Sequence, residues 1–176
     1  VLMSSGLKLV ADKPFHCINT SPRSLDTLFV AGGNGVYRAR FKKDLLDFVK
    51  AQGKDSKRIA SICSGTFILA KAGLLKGKRA TSHWSVCQRL TREHPEIQVE
   101  PDKIFVQDNH IYSSAGVTAG IDLALALVEE DYGRDIALKI AKQLVVFMKR
   151  QGGQSQFSTS LARQTAVKGI LEDTLT

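Results

Sequence analysis

Two residues in the stretch "RIASICSGTFILAKAGLLKGKRATSHW" (58–84) have the types and the spacing for nucleophilic chemistry: Cys63 and His83. Cys63 stands where an apolar run that reads as a buried strand gives way to a helical pattern. A side chain left at such a turn sits at a helix N-terminus, where the amide dipoles favour negative charge. A cysteine there tends toward a reactive thiolate. Gly65, two residues on, leaves room for a sharp turn. The pattern is a nucleophile elbow with sulfur in place of oxygen. His83 is placed to act as base, or as the partner that keeps the thiolate charged. The amide of Ser64, with one from Gly32 or Gly33, would form an oxyanion hole. Against this, a cysteine at a strand end is often a packing residue, so spacing alone leaves a catalytic and a structural Cys63 both open.

The other candidates carry less. Cys17 and Cys87 have no companion residues and read as structural. His16, His94 and His110 fall on strand, helix-end and turn positions and read as surface or packing residues. Four scattered histidines make no metal site, and no cofactor is expected. Gly32, Gly33 and Gly35 form neither a Walker loop nor a full dinucleotide fingerprint; a backbone-approach role or a plain strand-to-helix turn suits them better. Trp84, next to His83, is a candidate pocket wall or a core residue. Asp108 and Asp122 are the carboxylates that by order could complete a Cys–His–acid set. Asp122 is expected in the first turn of a helix, where helix-end electrostatics explain it without catalysis.

These residues need a scaffold. Apolar periodicity predicts a strand over 25–33, a helix over 41–53 stopped by Gly53, a strand over 58–63 and a short helix over 64–73. A strand end follows over 78–83, then a helix over 84–95 capped by Ser82 and closed by Pro95. Residues 103–116 read as a hairpin turning at "QDNH". Two helices follow over 118–132 and 134–150. The second presents Ile136, Ala137, Ile140, Ala141, Leu144, Val145 and Met148 on one face. Strands alternating with helices predict an α/β fold, a doubly wound, flavodoxin-like, mostly parallel sheet with helices on both faces. Ligands bind such sheets beyond the carboxyl ends of the strands. The loops 31–35, 63–65 and 113–120 should converge there with His83. Residues 1–150 form the domain. Residues 151–176, opening with two glycines, read as a linker with a further element starting near Val167.

Composition sets the class. The 176 residues are 43% hydrophobic and 24% charged, enough for one domain with a core of its own. Three cysteines make no disulfide framework, and a reducing cytoplasm fits them. Twenty-five Lys and Arg against 17 Asp and Glu leave a net charge of +8. The basic residues are spread along the chain, which fits a general attraction to polyanions better than a built nucleic-acid face.

At "ICSGTFILAKAGLLKGKRATSHW" and "IYSSAGVTAGIDLALALVEEDYG" the sequence resembles the ThiJ/PfpI superfamily, whose fold is that of class I glutamine amidotransferases. Within it the similarity is to the GlxA-like regulators of the AraC family, over about residues 1–158. Isocyanide hydratases share both stretches. The segment "RQGGQSQFS" (150–158) is similar to the junction that leads, in the regulators, into a pair of helix-turn-helix motifs. The resemblance implies a reactive or vestigial catalytic pair at Cys63 and His83. It also implies an effector site bordered by Gly32, Gly33, Cys63, Ser64, His83, Trp84 and the loop Ala115, Gly116, Val117, Thr118. It implies an amino-acid-like or quaternary-ammonium effector, a homodimer, and DNA as partner through a C-terminal domain beyond this sequence. It further implies that a strand, a helix and a second strand precede Val1, with an acidic residue near the cysteine among them. The alternative is a cysteine-nucleophile hydratase or amidase; a redox or glyoxalase-like protective protein is a third reading.

Overall fold

The computed structural model describes residues 3, 6–18, 25–148 and 153–154. A central sheet is built from β1 (Thr27–Val30), β2 (Arg58–Ile62), β6 (Ile111–Ser114) and β5 (Phe105–Asp108), in the spatial order β1-β2-β6-β5. The strands β1, β2 and β6 run parallel, and β5 returns antiparallel against β6. A smaller parallel pair joins β3 (Arg79–Ala80) to β4 (Gln98–Val99). This is the flavodoxin-like α/β architecture that the alternation of strands and helices predicts.

The side chains of β2 alternate between two buried faces, which is why helices flank both. Ile59 joins a core with Val49, Phe67, Leu69, Leu75 and Leu90, residues of α2 (Lys43–Asp55), α3 (Thr66–Lys71), α4 (Trp84–Glu93) and the loop between the last two. Its neighbour Ala60 turns to the other face and packs with Tyr112, Leu123 and Leu127 under α5 (Val117–Tyr132). A strand buried on both faces is nearly all apolar, and "RIASI" is one. A short helix, α1 (Val36–Ala39), links β1 to α2.

Four local expectations differ from the structure. The helix expected to stop at Gly53 runs on to Asp55, with the Leu74 methyl groups pressed against Gly53. The cap of α4 is His83 rather than Ser82, because the Ser82 hydroxyl is turned to the Cys63 carbonyl. The helix expected over 134–150 is α6 (Arg134–Gln143) only; its chain leaves helical geometry at Val145, with φ 55°. Of its expected buried face, Ala137 and Ala141 are buried, while Ile136, Ile140, Leu144 and Val145 are exposed. The described residues cover that face only where the small alanines meet α5. Finally, Cys17 is exposed rather than packed.

β1 pairs with β2 alone among the described residues. Beside its open edge, Phe29 is 46% exposed and looks into a cavity of about 670 Å³. The cavity runs between the sheet and the helices α5 and α6. No helix among the described residues is long and apolar enough to cross a membrane.

Two ionic clusters fasten helices to this frame. The Arg58 guanidinium, buried at the start of β2, bonds Asp131 at the end of α5 and the Thr27 hydroxyl. Arg40 and Arg89 share Glu93, tying α1 to α4. The guanidiniums beside Asp131 and Glu93 hold both carboxyls at about 2, below their ordinary values of 3.8 and 4.5. A carboxyl depressed in the folded state binds its proton more readily when unfolded. Its contribution is therefore complete above the ordinary value and is lost as pH falls toward about 2. Thermal unfolding between pH 5 and pH 2 should show Tm falling steeply in the wild type. The double variant Asp131→Asn, Glu93→Gln should start lower at pH 5 and fall less. Parallel Tm curves for the two proteins would refute this.

Candidate functional site

The turn at Cys63 is built from strain held by a buried network. Ile62 is extended, Cys63 takes a left-handed φ of 55°, and residues Cys63–Gly65 form a 3-10 turn that runs into α3. The left-handed region costs a non-glycine residue about 1–2 kcal/mol. The Cys63 carbonyl accepts bonds from the Ser82 hydroxyl at 2.8 Å and the Thr66 hydroxyl at 3.1 Å, which hold the turn in place. Thr66 also lies 3.0 Å from the Ser61 hydroxyl and 2.9 Å from the Thr81 carbonyl. The Thr81 amide donates to Ser113, and the Ser114 hydroxyl to the Ser61 carbonyl. These hydroxyls lie under the elbow, buried and bonded.

The loop after β1 meets the elbow back to back. A β-carbon on Gly32 would stand 2.6 Å from the Ile62 carbonyl oxygen, and one on Gly65 would overlap the carbonyl oxygen of Val30. The Gly33 amide donates to the Ser64 hydroxyl at 2.9 Å, and that hydroxyl also lies 3.2 Å from the Gly33 carbonyl. Gly33 is therefore removed from the oxyanion-hole candidates, which narrow to the amides of Gly32 and Ser64.

Gly32, Gly33, Cys63 and Val117 line the apolar cavity together with Phe29, Ile62 and Ile121. His83 and Trp84 stand beside this group and do not line it. Their rings are tilted against each other at 5.3 Å, and Trp84 is 57% exposed, neither core nor cavity wall. Gly116 faces His83: a β-carbon there would be 3.5 Å from His83 Cδ2. Ala115 is buried and Thr118 exposed at the start of α5.

The Cys63 thiol has no hydrogen-bond partner among the described residues; Ser82, the residue before His83, bonds the Cys63 backbone carbonyl. The His83 Nδ1 accepts the Ser85 backbone amide at 3.4 Å and lies 2.7 Å from the Ser85 hydroxyl. Nδ1 is thus engaged by Ser85 at the start of α4 rather than by the Cys63 thiol.

Neither candidate carboxylate joins the pair. Asp108 lies at the opposite end of the sheet, opposite Ile111 at the start of β6. Its carboxylate accepts the Arg79 amide at 2.9 Å and lies 3.4 Å from Lys78 Nζ; the Arg79 amide first, then Lys78, holds it below the usual range. It is a brace between β3 and the hairpin. Asp122 is buried in the second turn of α5, not the first, so helix-end electrostatics do not account for it. Burial pushes the Cys87 thiol up, and its Sγ donates to the Ser82 carbonyl at 3.3 Å, as suits an inert packing residue. Among the described residues no three metal-ligating side chains gather.

The sequence reading missed two features. The hydroxyl network has a trace in "IAS", "RATS" and "IYSS", where hydroxyls stand at strand ends among apolar residues. The other is Gln154, expected in a linker yet 8% exposed and bonded into the domain.

Comparison with known proteins places these features. The model of the DJ-1/PfpI family matches residues 1–130. An isonitrile hydratase from Pseudomonas putida is 38% identical over 146 residues, covering 82% of this chain and 60% of that protein. The HTH-type transcriptional regulator GbdR of Pseudomonas aeruginosa is 28% identical over 145 residues, covering 82% of this chain and 38% of the regulator. The chain thus spans less than two thirds of these relatives' lengths, 60% and 38%. The crystal structure of an AraC family transcriptional regulator from Pseudomonas putida superposes with a TM-score of 0.65 at 27% identity, covering 82% of this chain and 75% of that one.

Proposed function

The chain belongs to the DJ-1/PfpI family, and from that premise we propose that it is the effector-sensing domain of an AraC-type, GlxA-like transcriptional regulator. A small metabolite binds at the strand ends beside Cys63 and His83. The engagement of His83 carries this reading. Its Nδ1 is held by Ser85 at the cap of α4, and the Cys63 thiol has neither a base nor a carboxylate bonded to it among the described residues. Such a site recognises an anionic or polar group without activating a nucleophile. Similarity to regulators in sequence and in structure supports the same reading.

DNA contact through a further domain, pairing as a homodimer and a cytoplasmic location belong to this proposal. So does a preceding strand–helix–strand supplied at the β1 edge. The β1 edge, unpaired among the described residues, and the exposed Phe29 support it, because an uncovered edge and apolar face are a liability in water.

The strained elbow and the likeness to isonitrile hydratase favour a second reading, a hydratase with Cys63 as nucleophile. One experiment separates the two. Thermal-shift screening with amino acids and quaternary-ammonium metabolites should find a stabilising ligand, since binding to the folded state raises Tm. Cys63→Ala should keep its affinity within about threefold, a change of under 1 kcal/mol. Hydration of an isonitrile by the wild type, lost in Cys63→Ala, would overturn sensing in favour of catalysis.

A further inference from the structure

We propose that Gly153 and Gln154 form a latch that ties the chain following the domain to the cysteine elbow through a two-step path, Cys63 carbonyl to Ser82 to Gln154. The inference rests on the sensing reading for its purpose and on geometry alone for its existence.

Gln154 Nε2 points into a nest of four oxygens: the Pro101 carbonyl at 2.8 Å, the carbonyls of Ser82 and Lys103 at 3.0 Å, and the Thr81 hydroxyl at 3.3 Å. The Gln154 backbone amide donates to the Asp102 carbonyl at 2.7 Å. Gly153 lies so close to Asp102 that a methyl group on it would overlap that residue, so the approach needs glycine. Main chain and side chain are therefore both fixed, in a segment whose two glycines predict a free linker. An amide nitrogen has two hydrogens for these four oxygens, so the nest accepts a neutral N–H donor and repels a carboxylate.

The nest adjoins the site through one residue. Ser82 gives its hydroxyl to the Cys63 carbonyl at 2.8 Å and its own carbonyl to Gln154. Thr81, which also meets Gln154, bonds through its carbonyl to Thr66, itself bonded to the Cys63 carbonyl. A ligand or adduct that shifts the left-handed Cys63 moves an acceptor of Ser82, and Ser82 moves an acceptor of Gln154. Coupling of this kind is reciprocal: a disturbed latch must disturb the elbow.

Both directions are measurable in the 176-residue chain carrying Cys17→Ser, which leaves the buried Cys87 and Cys63 as its thiols. Alkylating Cys63 with iodoacetamide should speed hydrogen exchange at the Gln154 amide at least about fivefold. Conversely, Gln154→Glu should change the Cys63 alkylation rate at least about fivefold, and Gln154→Met, which lacks the donors but fills the space, by less. Exchange at Gln154 unchanged on alkylation, or a Cys63 rate unchanged in a folded Gln154 variant, overturns the latch. The alkylation arm needs no Gln154 variant, so a misfolded Gln154→Glu does not decide the matter. A chain that binds an effector without this cross-talk loses the latch and keeps the sensing function. Cross-talk without any effector does the reverse.

Discussion

Gly65→Ala should lower the stability of the folded chain by about 3 kcal/mol, the upper range for a forced overpacking, and so lower Tm by roughly 6–12 °C for a chain of this length. The backbone of Gly65 is helical, with φ −54° and ψ −25°, so alanine is at no conformational disadvantage there. The effect is wholly steric. The new methyl group would overlap the Val30 carbonyl oxygen and stand 3.1 Å from that of Ala31. Both are backbone atoms at the end of β1, and a carbonyl oxygen cannot rotate away as a side chain can. Relief requires β1 and the elbow to part, and β1 is held to β2 by its ladder. Gly35→Ala is the control. It also has a helical backbone, with φ −61° and ψ −25°, and nothing lies within 4 Å of the added carbon. It should change stability by less than about 0.5 kcal/mol. Thermal unfolding of the two variants decides the matter: equal Tm values would sink the back-to-back reading of β1 and the elbow. The displaced elbow in Gly65→Ala should also change the alkylation rate of Cys63.

That contact marks where sequence reading stops. The cysteine turn was legible because a buried strand followed by "CSG" and a helical pattern has few other solutions, and β2, α3, α4 and the β5–β6 hairpin fall close to their expected places. Glycine at position 65 was legible as room for a turn, but not as the seat of a carbonyl oxygen from β1, because that neighbour is 35 residues away. Partners distant in sequence also hid the roles of Asp108 and Ser82. A carboxylate that chain order offers to a Cys–His pair looks catalytic until topology sends it to the opposite end of the sheet. A serine before a helix looks like a cap until its hydroxyl finds the Cys63 carbonyl. Periodicity overstated α6 for a related reason. An apolar stripe records which residues can be buried, and only packing decides which are. Gln154 left no sequence signal, since two glycines and polar neighbours describe a linker and a tight docking approach equally well.

Thr66→Val should cost about 2–3 kcal/mol, the range for leaving buried polar groups without their partner. It should be more harmful than Thr66→Ser, which reverses the order expected of a hydrophobic core. Thr66 is fully buried, and valine matches its shape and adds apolar surface. If packing alone mattered, valine would be tolerated and serine, lacking the methyl group, would leave a small void worth about 1 kcal/mol. The hydroxyl is the member that counts. It lies within hydrogen-bond reach of the Cys63 carbonyl, the Thr81 carbonyl and the Ser61 hydroxyl. The hydroxyl has one proton for the two buried carbonyls; removing it takes that donor from both and a partner from Ser61. One of those carbonyls belongs to Cys63, so the loss falls on the residue already held at φ 55°. With one of its side-chain restraints gone, the elbow gains freedom to relax toward an ordinary backbone conformation. Thr66→Val should therefore alter the alkylation rate of Cys63 as well as lower Tm, while Thr66→Ser keeps the rate near that of the wild type. A valine variant as stable as the wild type, with the same thiol rate, would mean that the hydroxyl network is incidental to the turn. A serine variant worse than valine would mean that the methyl group, and not the hydroxyl, secures α3 beneath the cysteine.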